Sequence, residues 1–224
     1  DIARHTIRDN IADAGAFLGL VGGPLGKLSL DVKLMMQTEV GEVQEPYYHG
    51  RGSSSTMPQK RNPISSAYIH GAVSVLRQHA AALMDAMVAD HERSTGPWQI
   101  EWIVLPEAFC LLAGALKQSR VIVEGLEVDA AAMRRNIDMT GGLVMSEAVM
   151  MGLGNYIGRE YAHDLVYDLC RAAVKQNRPL LDLLCEHPEI NRHLDRAALA
   201  SLCDPANYLG QAGVMVDRGL DKLR

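Results

Sequence analysis

Apolar residues early in the chain fall at Ile11, Ala14, Leu18, Val21, Leu25, Leu28, Val32 and Met35, in alternating steps of three and four. Such a heptad seam predicts one long helix lying nearly parallel to its neighbours. Gly22-Gly23-Pro24 interrupts it, which predicts a kink, or alternatively two helices joined by a turn. Residues 45 to 58 lose the period: two glycines, two prolines and a run of hydroxyl residues read as a loop. Asn62-Pro63 then reads as a helix start, with Asn as cap and Pro in the first turn. The helix behind it runs to about Asp90, and a third spans about Ile100 to Gly125. The third is apolar on more than one side, as a helix inside a bundle would be.

Beyond Val128 the helices shorten. Asp129 caps one ending near Asn136, Gly141-Gly142 precedes one over Leu143 to Tyr156, and Gly158 separates that from Glu160 to Lys175. Pro179, Pro188 and Pro205 break up the remainder. No strand-like alternation of useful length and no internal repeat is present. The expected fold class is all-α: a long-helix bundle over 1–127, containing the loop 50–63, followed by a small helical domain over 128–224.

A chain of 224 residues, 48% apolar, can build a real core. Its net charge of -5 disfavours general nucleic-acid binding, which needs Lys and Arg to neutralise phosphates. Charges or Gly and Pro interrupt every apolar stretch, so no membrane span is expected. Cys110, Cys170, Cys185 and Cys203 sit in apolar runs without a paired spacing, which suits reduced core thiols in a cytoplasmic protein. No His/Cys cluster suggests a metal, and no cofactor is expected. The chain does not begin with Met and its helical pattern is already running within the first dozen residues, so a piece of a longer protein is expected.

The chemistry concentrates in Ser53-Ser54-Ser55-Thr56-Met57-Pro58-Gln59-Lys60-Arg61-Asn62-Pro63. A serine hydroxyl is a weak base, and it becomes useful where its alkoxide is stabilised. Lys60, loop amides and the positive end of the helix starting at Pro63 could supply that, and the helix end would also suit a substrate carboxylate. On composition alone the same run also reads as a linker.

The run resembles the signature loop of the fumarase/aspartase superfamily, which includes adenylosuccinate lyase, argininosuccinate lyase and bacterial 3-carboxy-cis,cis-muconate cycloisomerase. Aligning on Met57-Pro58 puts the catalytic serine at Ser54. Ser55, Thr56, Met57, Lys60 and Asn62 then fall in the substrate-binding part of the loop, and Ser53 stands where the family usually has Gly. His5-Thr6-Ile7-Arg8-Asp9, Leu34 to Val43 and Asp204 to Gly210 are similar to further family segments. His91-Glu92-Arg93-Ser94, with Trp98 and Trp102 following, is similar to the cycloisomerase version of its segment, and Ala67 stands where lyases commonly carry Glu. Gln59 departs, because the cycloisomerases usually have His there.

The resemblance implies a small anionic carboxylate substrate and closure of a lactone ring, the reverse of a β-elimination, as in aromatic degradation by the β-ketoadipate route. Ser54 would transfer the proton, while His91 and Arg93 would contact substrate. It also implies a homotetramer whose sites are shared between subunits, with further site histidines on segments N-terminal to Asp1. The alternatives are a C–N lyase of adenylosuccinate type that releases fumarate, and a non-catalytic relative that kept the helical core.

Overall fold

The computed structural model describes residues 4–47, 56–57 and 59–223. Among these the structure is helical apart from one two-residue ladder, so the fold is all-α. It divides into two compact units, Asp1–Met133 and Arg134–Arg224.

The first unit is built on α1 (Asp9–Met35), α2 (Ile64–Asp85) and α3 (Pro97–Gly125). α1 is a single element that contains Pro24, not two helices joined by a turn. Its buried positions are Ala12, Gly15, Leu18, Gly22, Ser29 and Val32. The seam is therefore heptad, as the sequence predicts, but rotated about one residue toward small side chains. The cause is close approach to α2. A Cβ on Gly22 would lie 3.0 Å from Leu76 Cδ2, and one on Gly15 would overlap Leu83. Large residues of α2 fill those notches, much as knobs fill holes.

The register follows from two clusters. Val32 and Met36 pack with Ile69, Val73, Ala115 and Ile122, while Leu18 packs with Leu76, Ala108 and Leu112. α1 and α3 therefore run the same way, and α2 runs against both. The fully buried Ile69, Leu76 and Leu83 of α2 repeat every seven residues on one face. α3 carries the matching stripe Glu101, Val104, Ala108, Leu112, Ala115, Ser119 and Ile122. By length and composition α3 could cross a membrane, yet here it is the third helix of the bundle. Cys110 lies off its stripe and is exposed, contrary to the expectation of a core thiol.

Two helix ends differ from the sequence reading. α2 stops at Asp85, not near Asp90. α3 starts at Pro97, because Gly96 takes φ +94 and its N–H donates to Gln99 Oε1 at 2.7 Å. Only glycine reaches that backbone region cheaply. At the other end of the bundle, β1 (Val43–Gln44) pairs antiparallel with β2 (Glu127–Val128). The pairing fixes the chain before the loop to the chain after α3. Pro46 packs on Gly125, where an added Cβ would come within 2.7 Å.

The short helix α4 (Ala130–Asp138) crosses the division between the units, with Asp129 Oδ1 accepting the Ala132 N–H at 2.9 Å. The second unit holds α5 (Ser146–Ile157), α6 (Arg159–Gln176), α7 (Leu180–Glu186), α8 (Pro188–Asn191), α9 (Arg196–Leu202) and α10 (Ala212–Asp221). Its core gathers Val149, Leu153, Ala162, Val166, Leu180, Leu184, Ile190 and Leu199. Asn177 ends α6 in the left-handed conformation, φ +51, a common helix stop. Cys170, Cys185 and Cys203 pack against this core, and burial pushes the thiols of Cys170 and Cys203 up from their ordinary range.

Candidate active site

The described stems of the loop meet at the β1–β2 end of the bundle. Glu45 follows β1 and is only 6% exposed. Its carboxylate accepts the Ser65 N–H at 3.0 Å, the Ser66 N–H at 2.8 Å and the Ser66 hydroxyl at 2.6 Å. A helix start leaves such amides without intrahelical partners, and its positive end favours an anion. Glu45 meets both needs.

That arrangement corrects two sequence expectations. α2 begins at Ile64 with Pro63 in the cap position, and the side chain that takes its first amides is Glu45 and not Asn62. The positive end of α2 is consequently occupied by the protein's own carboxylate and is not offered to a substrate. No local pattern could have shown this, since Glu45 lies 20 residues from Ser65.

Arg61 forms the second tie. Nη1 and Nη2 donate to the two carboxylate oxygens of Glu127 in β2, each at 3.0 Å, and Nη2 also donates to the Glu45 carbonyl at 2.8 Å. The guanidinium lies 5.6 Å from the Tyr47 ring centroid. The hydrogen bonds to Glu127 raise the Arg61 pKa and lower that of Glu127. The sequence reading gave Arg61 no role, although it sits inside the motif.

Around this anchor, Lys60, Thr56 and Met57 are exposed and Asn62 is half-buried. The Lys60 N–H closes a turn onto the Met57 carbonyl at 3.1 Å, and the Asn62 carbonyl accepts from the Ile64 N–H at 2.9 Å. Gln59 and Ala67 are exposed nearby in sequence. The expected catalytic Ser54, together with Ser53, Ser55, Pro58 and His49, lies outside the described residues.

The other sequence-selected residues stand at the opposite end of the bundle. Arg8 Nε donates to Glu101 Oε1 at 2.7 Å, and Nη2 bonds the second oxygen. The pair is well buried, and the hydrogen bond to Glu101 holds the Arg8 guanidinium above its ordinary pKa. Arg8 is thus tied to α3 through Glu101. His5 meets Trp98 edge-on at 5.3 Å between ring centroids, and Trp98 meets Trp102 edge-on at 5.0 Å. The Arg93 guanidinium lies 5.7 Å from the Trp98 ring. His91 takes φ +46, a region non-glycine residues rarely occupy and one found at functional turns. Beside it, Asp90 accepts the Thr95 N–H at 3.3 Å, and its carboxyl is held below the usual range, chiefly by backbone N–H groups.

The chain therefore brings Thr56, Met57, Lys60 and Asn62 together at one end, and His91 and Arg93 together at the other. α2 lies between them. Its 22 residues span about 33 Å at 1.5 Å per residue. A hollow of about 280 Å³ between α5 and α6, lined by Ser146, His163, Tyr167 and Cys170, contains none of these residues, whereas a small hollow at the loop end is lined by Asn62 with Glu45, Tyr47 and Arg61. Among the described residues no group of three or more His, Cys, Asp or Glu could hold a metal ion.

Residues 3–77 match a family described as Lyase, and residues 142–219 match one described as Adenylosuccinate lyase C-terminus. The chain belongs to the fumarase/aspartase superfamily of lyases. Within it, the chain is 56% identical over 222 residues to trans-aconitate decarboxylase 1 of Mycosarcoma maydis, covering 99% of this chain and 45% of that protein. It is 51% identical over 216 residues to 3-carboxy-cis,cis-muconate cycloisomerase of Pseudomonas aeruginosa, covering 96% of this chain and 47% of the relative. The crystal structure of 3-carboxy-cis,cis-muconate lactonizing enzyme from Pseudomonas putida matches with TM-score 0.88 and 46% identity, over 97% of this chain and 48% of that one. The chain thus spans about half the length of the relatives it matches.

Proposed function

We propose that this chain supplies the signature-loop half of an enzyme acting on an unsaturated tricarboxylate, and that its reaction is cycloisomerisation of the 3-carboxy-cis,cis-muconate type. One substrate carboxylate oxygen adds across the conjugated double bond. The electron pair moves to the carbon beside a second carboxylate, giving an aci-carboxylate dianion. Ser54 delivers the proton to that carbon and regains one from solvent, which matches the carboxylate charge lost on ring closure, so the acid forms of substrate and lactone are isomers. Stabilising the dianion is the main electrostatic task. Glu45 already holds the α2 terminus, so that task falls on Lys60 with Asn62 beside it. Arg93 and His91 take a further carboxylate.

One observation carries this reading: an exposed cation, Lys60, sits on a segment anchored to the scaffold at Arg61, inside the family's loop motif. A decarboxylase reading has its own support in the 56% identity to trans-aconitate decarboxylase 1 and in Gln59, which departs from the cycloisomerase pattern. Both substrates are unsaturated tricarboxylates, and both reactions protonate a carbon near a carboxylate. Offering the complete protein each compound separates the two. Loss of diene absorbance without gas release is the expected result, and CO2 release from trans-aconitate would replace it with decarboxylation. Fumarate release from adenylosuccinate would instead favour the C–N lyase reading.

We place the protein in a homotetramer with shared sites. The two segments stand a helix length apart in one chain, so a site using both draws them from different copies. Outward apolar residues such as Phe17 and Leu20 on α1, and Ile103, Phe109 and Val123 on α3, suit helix packing beyond this chain. Mixed oligomers of Lys60→Met and Arg93→Ala variants hold some sites with both wild-type residues, so they should recover a kcat/KM above that of the same two variants assayed separately. Absence of any recovery would put both segments in one chain's site, or one of them in none.

A further inference from the structure

We infer that Glu45 and Arg61 are positioning residues that act on substrate through Lys60 and Asn62, which rests on the tricarboxylate reading above. Arg61 lies between those two residues in sequence. Its guanidinium donates three hydrogen bonds, two to Glu127 and one to the Glu45 carbonyl, and thereby fixes the backbone from which Lys60 and Asn62 project. Glu45 fixes the other side of the same segment by holding the amides of Ser65 and Ser66 and the Ser66 hydroxyl. The Lys60–Asn62 segment is thus held between a β ladder and a helix start, by the buried Glu45 on one side and the more exposed Arg61–Glu127 pair on the other.

The arrangement also has an electrostatic consequence. A helix terminus next to an anion site would ordinarily compete with a lysine for the ligand. With a buried carboxylate on that terminus, Lys60 is the exposed cation of this segment among the described residues, so the ligand's placement depends on how firmly residues 60 to 62 are held. A charge displaced by an ångström loses much of its worth where the interaction is geometric. Specificity for a polyanion of fixed shape follows from this rigidity as much as from the charge.

Calorimetry with tricarballylate, a saturated tricarboxylate that cannot be turned over by either reaction, tests the inference in the complete, assembled protein. Glu45→Gln keeps the side chain's shape but turns one acceptor into a donor facing an N–H. It should weaken binding about tenfold, and Arg61→Lys should weaken it about fivefold, by the loss of paired donors. Lys60→Met should weaken it further. In the Lys60→Met background, Glu45→Gln should cost little more, because its effect passes through the lysine. Glu45→Gln binding as tightly as wild type would overturn the inference. So would a Glu45→Gln loss that persists in full beside Lys60→Met, which is what a general effect on stability would give. A wild-type protein that binds no tricarboxylate would instead sink the functional reading beneath it.

Discussion

The two ends of the bundle each bury a glutamate, and they use it differently. At the loop end, Glu45 binds backbone amides and a hydroxyl, so its partners are the polypeptide itself. At the far end, Glu101 binds the side chain of Arg8. A carboxylate on amides fixes where a chain segment runs, whereas a carboxylate on a guanidinium fixes how two helices meet. The difference teaches which cations remain for a ligand. Arg61 and Arg8 are consumed by structure, and Lys60 and Arg93 stay exposed.

The sharpest way to break this comparison is to remove the loop-end cation. Lys60→Met should lower kcat/KM by about 100- to 1000-fold in steady-state assays, since it deletes a principal stabiliser of developing charge. A loss below threefold would mean that the loop end is not where charge develops. Glu101→Gln comes next. It leaves Arg8 facing a neutral amide in a mostly buried site and should cost about 2 kcal/mol of stability by denaturant unfolding. Its effect on kcat should be small if the far-end pair is scaffold. Arg93→Ala should raise KM about tenfold with little change in unfolding, the value of one charged contact.

The smallest expected effect belongs to Arg61 and Glu127. Arg61 lowers the folded-state pKa of Glu127, so their pairing stabilises the protein above the ordinary carboxylate pKa. That contribution disappears as pH falls through the lowered value. The pair is largely exposed, with Glu127 at 56%, so its share is a few tenths of a kcal/mol. Unfolding midpoints of Glu127→Gln and wild type should converge in acid and separate slightly near neutrality.

The helices were legible because their periodicity is a direct imprint of burial. α1 shows both the reach and the limit of that signal. The step of three and four predicted the helix and its heptad packing, but the true seam runs through Gly15, Gly22 and Ser29. Small residues do not register as apolar, yet they are what lets Leu76 and Leu83 approach. The candidate site divides the same way. Lys60, Asn62, His91 and Arg93 stand as candidates because local motifs carry them. Glu45 and the pairing of Arg8 with Glu101 were not legible, because their partners lie 20 to 93 residues away and nothing in a local window encodes them. Nor could the sequence show that the two motif segments occupy opposite ends of one helix.

Proton delivery to a carbon beside a carboxylate is the step on which the proposed reaction turns, and isotope labelling reaches it directly. The complete protein is given 3-carboxy-cis,cis-muconate in D2O and the product is read by NMR, with Ser54→Ala alongside. One deuterium is expected at the carbon adjoining a carboxylate in the wild-type product, and none formed at a comparable rate by the variant. Product lacking that deuterium, or a Ser54→Ala protein that makes it as fast as wild type, would contradict it.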